Sequence, residues 1–294
     1  MLDAFDHAPV WLNSAPLRAG ELRGRVVAVD FWTYSCVNWL RTLPYVRAWH
    51  ARYRDRGLVV VGAHAPEFGF ERDLANVRRA VAELDVPYPV VIDNEFAIWR
   101  AFGNRYWPAL YLLDGDGNVR FTHFGEEAYE ESERALQSLL GLDDDLTPAH
   151  AEGLALAADW GALKSPETYL GSARGERRVW TSELSLNQWR LIGDWSTGEE
   201  AVVLDSGRGA IAYRFEARDA NLVLESPEPV SFRVRLDGAP PGDAAGVDVD
   251  ESGAGVLSEP RLYQLNRQPD ASWQRTFEIT FDAPGVRAYV FTFG

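Results

Sequence analysis

The sequence predicts an α/β unit with a mixed sheet flanked by helices, followed by an all-β jelly-roll or sandwich domain. Two observations predict this arrangement. In the first half, short apolar runs alternate with segments of helical spacing up to a final hairpin turn at 114–118. From residue 179 onward, short strands follow one another with turns between them, and several alternate apolar and polar residues.

The elements of the first half follow from these patterns in order. Apolar runs predict strands at 25–32, 58–63, 89–92 and 109–113, with a return strand at 119–124. Helical spacing predicts helices at 36–56, 70–84, 94–102 and 126–140. Pro44 interrupts the first of these helices and predicts a kink there. A polar, Ala-rich segment then predicts a linker, so we expect domains at 1–142 and 179–294 with a linker at 143–178.

Composition narrows the class of function. The 294 residues carry a formal net charge of −15, and such a surface repels nucleic-acid backbones. No apolar run approaches the roughly 20 residues of a membrane helix. The N-terminal residues show no signal peptide, so the chain as written is expected to be cytoplasmic. The five histidines lack zinc spacing, and we expect neither a metal nor another cofactor.

The single cysteine, Cys36, lies where a buried strand passes into a helix. Free backbone N–H groups and the positive end of the helix dipole stabilise a thiolate at such a junction. Thiols there can have pKa values of about 3.5–7.5. Cys36 is therefore predicted to be a nucleophile rather than a buried apolar residue.

Two further features accompany the cysteine. Asp30 lies inside the apolar run before it, where burial should raise the carboxyl pKa toward neutrality and suit it as a proton acceptor. A half-exposed aspartate at the strand end is the alternative. Trp107-Pro108 precedes the fourth strand, where backbone groups can pair with an extended substrate. These residues predict a catalytic pair, Cys36 and Asp30, and a docking element.

The run Val29-Asp30-Phe31-Trp32-Thr33-Tyr34-Ser35-Cys36 resembles the active-site motif of thioredoxins. The spacing of Asp30, Pro44 and Trp107-Pro108 relative to the cysteine is similar to that family as well. The resemblance covers residues 1 to about 142 and implies a thioredoxin fold with Pro108 as its cis-proline. It also places Trp32, Tyr34 and Ser35 beside the site.

A narrower resemblance is to TlpA-like redoxins and the C-terminal region of DipZ-type proteins. It rests on segments throughout the chain: Pro9-Val10-Trp11-Leu12-Asn13-Ser14, Trp32 to Asn38, His64-Ala65-Pro66-Glu67-Phe68, Asn104 to Pro108 and Ser165 to Gly171. It implies that residues 179–294 form a β domain similar to a carbohydrate-binding module. Relatives of this type commonly work outside the cytoplasm, which leaves that compartment open.

The sequence departs from the family at one position. Cys36-Val37-Asn38-Trp39 stands where a Cys-x-x-Cys pair is expected, so Trp39 occupies the position of the resolving thiol. A dithiol cycle within one chain is then impossible, but Cys36 can still form mixed disulfides or be oxidised to sulfenic acid. We expect a monothiol oxidoreductase-like protein whose partners are protein thiols, protein disulfides or a low-molecular-weight thiol. A redox-inactive module that binds partner proteins is the alternative.

Other interpretations are less favoured. Thr33 precedes Cys36 with the spacing of one-cysteine peroxidases, but Val29 stands where those enzymes place a proline. His64 and Glu67 follow the second strand and suggest a Cys/His hydrolase, against which a loop histidine is preferred. Calcium loops at 114–118 and near Asp248 are better explained as turns. Sugar stacking in the β domain is less favoured than core packing; it would use Trp180, Trp189, Trp195 and Trp273.

Overall fold

The structure is a computed structural model that describes residues 1–269 and 274–294. It divides into two compact units, Met1–Ala155 and Leu156–Gly294. The segment expected as a linker contributes to both, because its first residues belong to the first unit and its strand Thr168–Tyr169 joins the sheet of the second.

The first unit contains a six-stranded sheet in the order β1-β4-β3-β2-β5-β6. Its strands are β1 (Trp11–Leu12), β2 (Val26–Trp32), β3 (Leu58–His64), β4 (Val90–Ile92), β5 (Ala109–Leu113) and β6 (Val119–Phe124). The pairs β2–β3 and β3–β4 are parallel, whereas β1–β4, β2–β5 and β5–β6 are antiparallel. The predicted mixed α/β sheet is therefore confirmed, with β2 at its interior.

The helices of this unit are α1 (Ala19–Leu22), α2 (Val37–Tyr53), α3 (Leu74–Glu83), α4 (Ala97–Phe102) and α5 (Tyr129–Leu140). α2 follows β2 directly, and its predicted extent is divided between the α-helix and a 3₁₀ turn at Arg54–Arg56. Gly57, with φ of 106°, ends the segment in the left-handed region that glycine adopts without strain. Pro44 lies inside α2; the kink itself stays a prediction.

The second unit is a curled antiparallel sheet. Its strands are β7 (Thr168–Tyr169), β8 (Trp189–Thr197), β9 (Val202–Glu216), β10 (Asp219–Glu225), β11 (Val230–Leu236), β12 (Ala254–Leu257), β13 (Arg261–Arg267), β14 (Gln274–Phe281) and β15 (Arg287–Phe293). Alternation shows most clearly in β11, where Val230, Phe232, Val234 and Leu236 are buried and the residues between them are exposed. The all-β expectation is confirmed.

Candidate active site

Cys36 lies at the junction predicted from the sequence. β2 ends at Trp32, a short turn follows, and Cys36 is the N-cap residue of α2. Its backbone N–H donates to the carbonyl of Thr33 at 3.3 Å, and its own carbonyl accepts from the amide of Leu40 at 3.0 Å. The residue is partly exposed, and its thiol donates to the Trp107 carbonyl oxygen at 3.8 Å. The sulfur thus belongs to a partly exposed residue at a helix N-terminus.

The Trp107–Pro108 peptide bond is cis and borders the thiol. The indole N–H of Trp107 donates to the Ala65 carbonyl at 3.0 Å, and its ring lies 4.4 Å from that of Trp99. These contacts hold the Trp107 side chain in place. The docking role of Trp107 and Pro108 stays a prediction.

Trp39, at the expected resolving position, is a core residue. Its side chain is fully buried and stacks on Trp32, with ring centroids 4.1 Å apart and planes inclined by 21°. Its indole N–H donates to the Asp30 carboxylate at 2.9 Å. The position that the resemblance assigns to a thiol is thereby filled by the Trp39 indole, which stacks on Trp32.

Asp30 is buried in the interior strand β2, as its apolar neighbours predicted. Burial raises its pKa to about 6, while the hydrogen bonds from Trp39 and from the Tyr88 hydroxyl, the latter at 3.4 Å, oppose the rise. A carboxyl with this pKa can exchange a proton near neutral pH. Its side-chain hydrogen bonds within the described chain run to these two donors, and its role as proton acceptor for Cys36 stays a prediction.

Gly62 on β3 leaves room for the side chains of Trp32 and Tyr88. A Cβ atom at this position would lie 2.8 Å from Nε1 of Trp32 and 3.0 Å from Cε2 of Tyr88. Glycine therefore allows the strand backbone to approach both rings beside Asp30.

Glu71 is a second buried carboxyl that the sequence interpretation missed. It accepts from the Ser35 hydroxyl at 2.5 Å and from the backbone N–H groups of Glu67 and Phe68 at 2.5 and 2.9 Å. Burial raises its pKa to about 7, and the bond from Ser35 opposes the rise. The available signal was its position three residues after Phe68, where a glutamate satisfies the first amides of a helical turn.

The other predicted neighbours lie as follows. Tyr34 and Ser35 are buried in the turn before Cys36, and Glu67 follows β3. His64 is the last residue of β3 rather than a loop residue; its buried ring packs edge-on against Trp32 at 4.9 Å. Neither ring nitrogen has a hydrogen-bond partner among the described residues. Burial lowers the pKa of His64 to about 3, so the ring is neutral at physiological pH. A protonated histidine partner for the thiol is therefore not available there.

The tryptophans considered for sugar stacking differ in their environments. Trp189 is buried in the core of the second unit, and Trp195 packs partly buried against the same core. Trp180 is 84% exposed, and Trp273 lies outside the described residues. Sugar binding by this unit stays a prediction.

Comparison with known proteins identifies the families that this chain matches. The Redoxin family matches residues 10–140, and the family described as Thioredoxin like C-terminal domain matches residues 165–294. DipZ of Mycobacterium bovis is 34% identical over 244 residues, covering 73% of this chain and 33% of DipZ. The thiol-disulfide oxidoreductase YkuV of Bacillus subtilis is 28% identical over 130 residues, covering 44% of this chain and 87% of YkuV.

A solved structure of a thiol-disulfide isomerase from Corynebacterium glutamicum is also similar. It is 22% identical, covers 47% of this chain and 99% of its own, and has a TM-score of 0.42. The chain spans about a third of the length of the DipZ proteins it matches.

The fold, the N-capping cysteine and the redoxin match together define a thiol–disulfide oxidoreductase-like protein of the thioredoxin fold. Within that class, the chain is a thioredoxin-like redoxin of the TlpA/DipZ type. Among its described residues, no helix has the length and apolar character needed to span a membrane.

Proposed function

We propose that this redoxin works as a monothiol. Its Cys36 thiolate attacks one sulfur of a partner disulfide, forms a mixed disulfide and expels the other sulfur as a thiolate. An external thiolate then attacks the partner's sulfur in the mixed disulfide and restores the Cys36 thiolate. The observation that carries this proposal is the pairing of a partly exposed Cys36 with a buried Trp39, which has no sulfur to supply the resolving step.

The surroundings of the thiol support the first step. As the N-cap residue of α2, Cys36 lies where the unsatisfied amides and the dipole of a helix favour negative charge. Two buried carboxyls add groups that exchange protons near neutral pH. Burial raises the pKa of Asp30 to about 6 and that of Glu71 to about 7. The partners are protein thiols and disulfides or a low-molecular-weight thiol.

Intact-mass analysis of the folded chain with glutathione disulfide near pH 7 tests the proposal. We expect one glutathionyl group on Cys36, removal of the adduct by added reduced glutathione, and no adduct on Cys36→Ser. A folded chain that resists modification, while the unfolded chain reacts, would overturn the proposal and favour a redox-inactive module that binds partner proteins. Oxidation by hydrogen peroxide faster than by any disulfide would favour the one-cysteine peroxidase instead.

The compartment is part of the same proposal. Kinship with TlpA/DipZ-type redoxins supports work outside the cytoplasm, in contrast to the location expected from the sequence as written. Fractionation of the producing cells, followed by detection of the chain in each fraction, tests it; recovery only with a cytoplasmic marker contradicts it.

A further inference from the structure

A groove crosses the outer face of the sheet in the second unit. It has a volume of about 460 Å³, and residues of β8, β9, β14 and β11 line it. Ala210 belongs to this lining and alternates along β9 with the core residue Ile211, so its side chain points outward. In the register, Ala210 lies between Ile192 of β8 and Thr280 of β14. A small side chain in the middle of the sheet thus leaves space between the longer ones beside it.

Arginines dominate the charge of this groove. Arg208 on β9 and Arg233 and Arg235 on β11 line it, and Glu278 on β14 is the carboxylate among its lining residues. All three arginines are exposed. The whole chain carries a formal net charge of −15, so a positive groove is an exception to the charge of the protein. Such a groove attracts an anionic group that the rest of the surface repels.

The three guanidinium groups differ in how far the protein itself occupies them. Arg208 pairs with Asp282 at 2.5 Å, and Arg233 donates to the carbonyl and hydroxyl oxygens of Ser252 at 3.1 and 3.4 Å. Arg235 makes no hydrogen bond or ion pair with the residues that the structure describes, although Glu278 lies opposite it in the register of β11 and β14. The N–H donors of Arg235 are therefore available to a ligand.

A further arginine on the same face also lacks a carboxylate. Arg190 precedes Ile192 by two residues on β8, pairs in register with Ala212, and points to the same side as Ile192. Its Nε atom is buried and has no hydrogen-bond partner among the described residues. A buried donor without a partner costs free energy, which an incoming acceptor recovers. This face therefore presents guanidinium donors that the carboxylates of the protein do not occupy.

The spacing along β11 indicates what kind of anion fits. Arg233 and Arg235 lie two residues apart and alternate with buried residues, so their side chains leave the same face about 7 Å apart. An extended polypeptide repeats its side chains on one side with this same spacing. Arginine binds a carboxylate through two parallel N–H···O bonds, which fixes both distance and direction.

We infer that the groove binds an extended acidic segment of a partner polypeptide, with carboxylates at alternate residues seated on Arg233 and Arg235. The small side chain of Ala210 leaves room for the backbone of that segment between the walls of the groove. The inference goes beyond the proposed function and is independent of it, because all residues that line the groove belong to the second unit and no thiol takes part.

Fluorescence anisotropy of the full chain with two labelled peptides tests the inference. One peptide has three glutamates separated by single serines, and the other has the same composition with the three glutamates adjacent. We expect the alternating peptide to bind about tenfold more tightly, the effect of one additional charge-assisted contact. Arg235→Gln and Arg233→Gln should each remove most of this preference. Arg25→Gln, which removes an exposed arginine of the first unit, is the matched control and should leave both affinities unchanged.

Equal affinity for the two peptides, or an equal loss of affinity in Arg25→Gln, overturns the inference, since either result indicates only general attraction between charges. Absence of binding overturns it as well. Citrate that displaces the alternating peptide at a concentration near the dissociation constant of that peptide would identify a small polycarboxylate as the occupant instead. Cys36→Ser should bind both peptides as the parent chain does, so failure of this inference and failure of the proposed function are distinguishable.

Discussion

The indole N–H of Trp39 donates to the carboxylate of Asp30 at 2.9 Å, and both side chains are buried. The resemblance to thioredoxins assigns these two positions to the resolving thiol and to its buried acid. Here the acid has a neutral N–H donor that cannot lose a proton at physiological pH. The bond offsets part of the free-energy cost of burying the ionised carboxyl. Trp39 therefore packs and donates a hydrogen bond where the second thiol would react.

Trp39→Cys is expected to create dithiol activity, measured as insulin reduction with a chemical reductant. The new thiol would lie one helical turn from Cys36 and beside Asp30, in the arrangement that the family resemblance implies. Loss of the buried indole should also lower the free energy of unfolding by about 3–5 kcal/mol.

Trp39→Ser is the matched control for this gain of activity. It leaves a cavity of similar size without a sulfur, so its stability should fall by a similar amount and its insulin reduction should stay at the level of the parent chain. Equal activities of the cysteine and serine variants would show that the second position no longer supports the exchange.

Asp30→Asn is expected to stabilise the protein above neutral pH. Burial raises the folded-state pKa of Asp30 from 3.8 to about 6, so the folded chain holds this proton to higher pH than the unfolded chain. The free energy of unfolding therefore falls as pH rises from about 4 to about 6. At pH 8 the cost of the ionised group is about 3 kcal/mol, and an amide avoids it while still accepting from Trp39.

Urea denaturation at pH 4 and pH 8 measures this effect. The substitution should matter little at pH 4, where the carboxyl is protonated in the folded chain, and should raise the midpoint at pH 8. Asp116→Asn, on the exposed turn at 114–118, controls for the change in net charge. Stabilisation that is equal at both pH values would contradict the assignment of the raised pKa to Asp30.

The sequence predicted β2, β3, β4 and β5 closely because each lies in a largely apolar run, and β6 because it returns from the turn at 114–118; the two-residue β1 was not predicted. β5 and β6 have the predicted bounds, and β2 differs by one residue. In β8 the strand pattern is weaker, because the exposed Gly193 and Asp194 interrupt its apolar residues. Sequence patterns also do not reveal long-range contacts. Nothing in the spacing of Ser35 and Glu71 indicates that a helical turn folds back onto the active-site loop.

Glu71→Gln is expected to alter the pH dependence of Cys36 alkylation. The Glu71 carboxylate accepts hydrogen bonds from the Ser35 hydroxyl and from two backbone amides. Because burial raises its pKa to about 7, its ionisation near neutral pH changes the hydrogen bonds that hold the turn before Cys36. Glutamine keeps one acceptor oxygen but cannot ionise. The rate profile should lose its component near pH 7, and the variant should match the parent chain best below about pH 6, where Glu71 is protonated.

Glu95→Gln controls for that loss of charge, since Glu95 is exposed and lies 3.6 Å from Arg72 on the surface. Its profile should match that of the parent chain. A uniform drop of the Glu71→Gln rate at every pH would indicate a structural role alone.

Gly62→Ala is expected to destabilise the first unit by about 1–3 kcal/mol, the usual cost of overpacking a filled core. The added methyl group would meet Trp32 at 2.8 Å and Tyr88 at 3.0 Å, and Trp32 cannot withdraw without disturbing its stack on Trp39. Near-UV circular dichroism should therefore change in the tryptophan region together with the urea midpoint. Gly20→Ala is the matched control, because a Cβ at Gly20 meets nothing within 4 Å and α1 tolerates alanine. If both variants unfold at the same urea concentration, the close approach of β3 to the two rings does not limit the packing around Asp30.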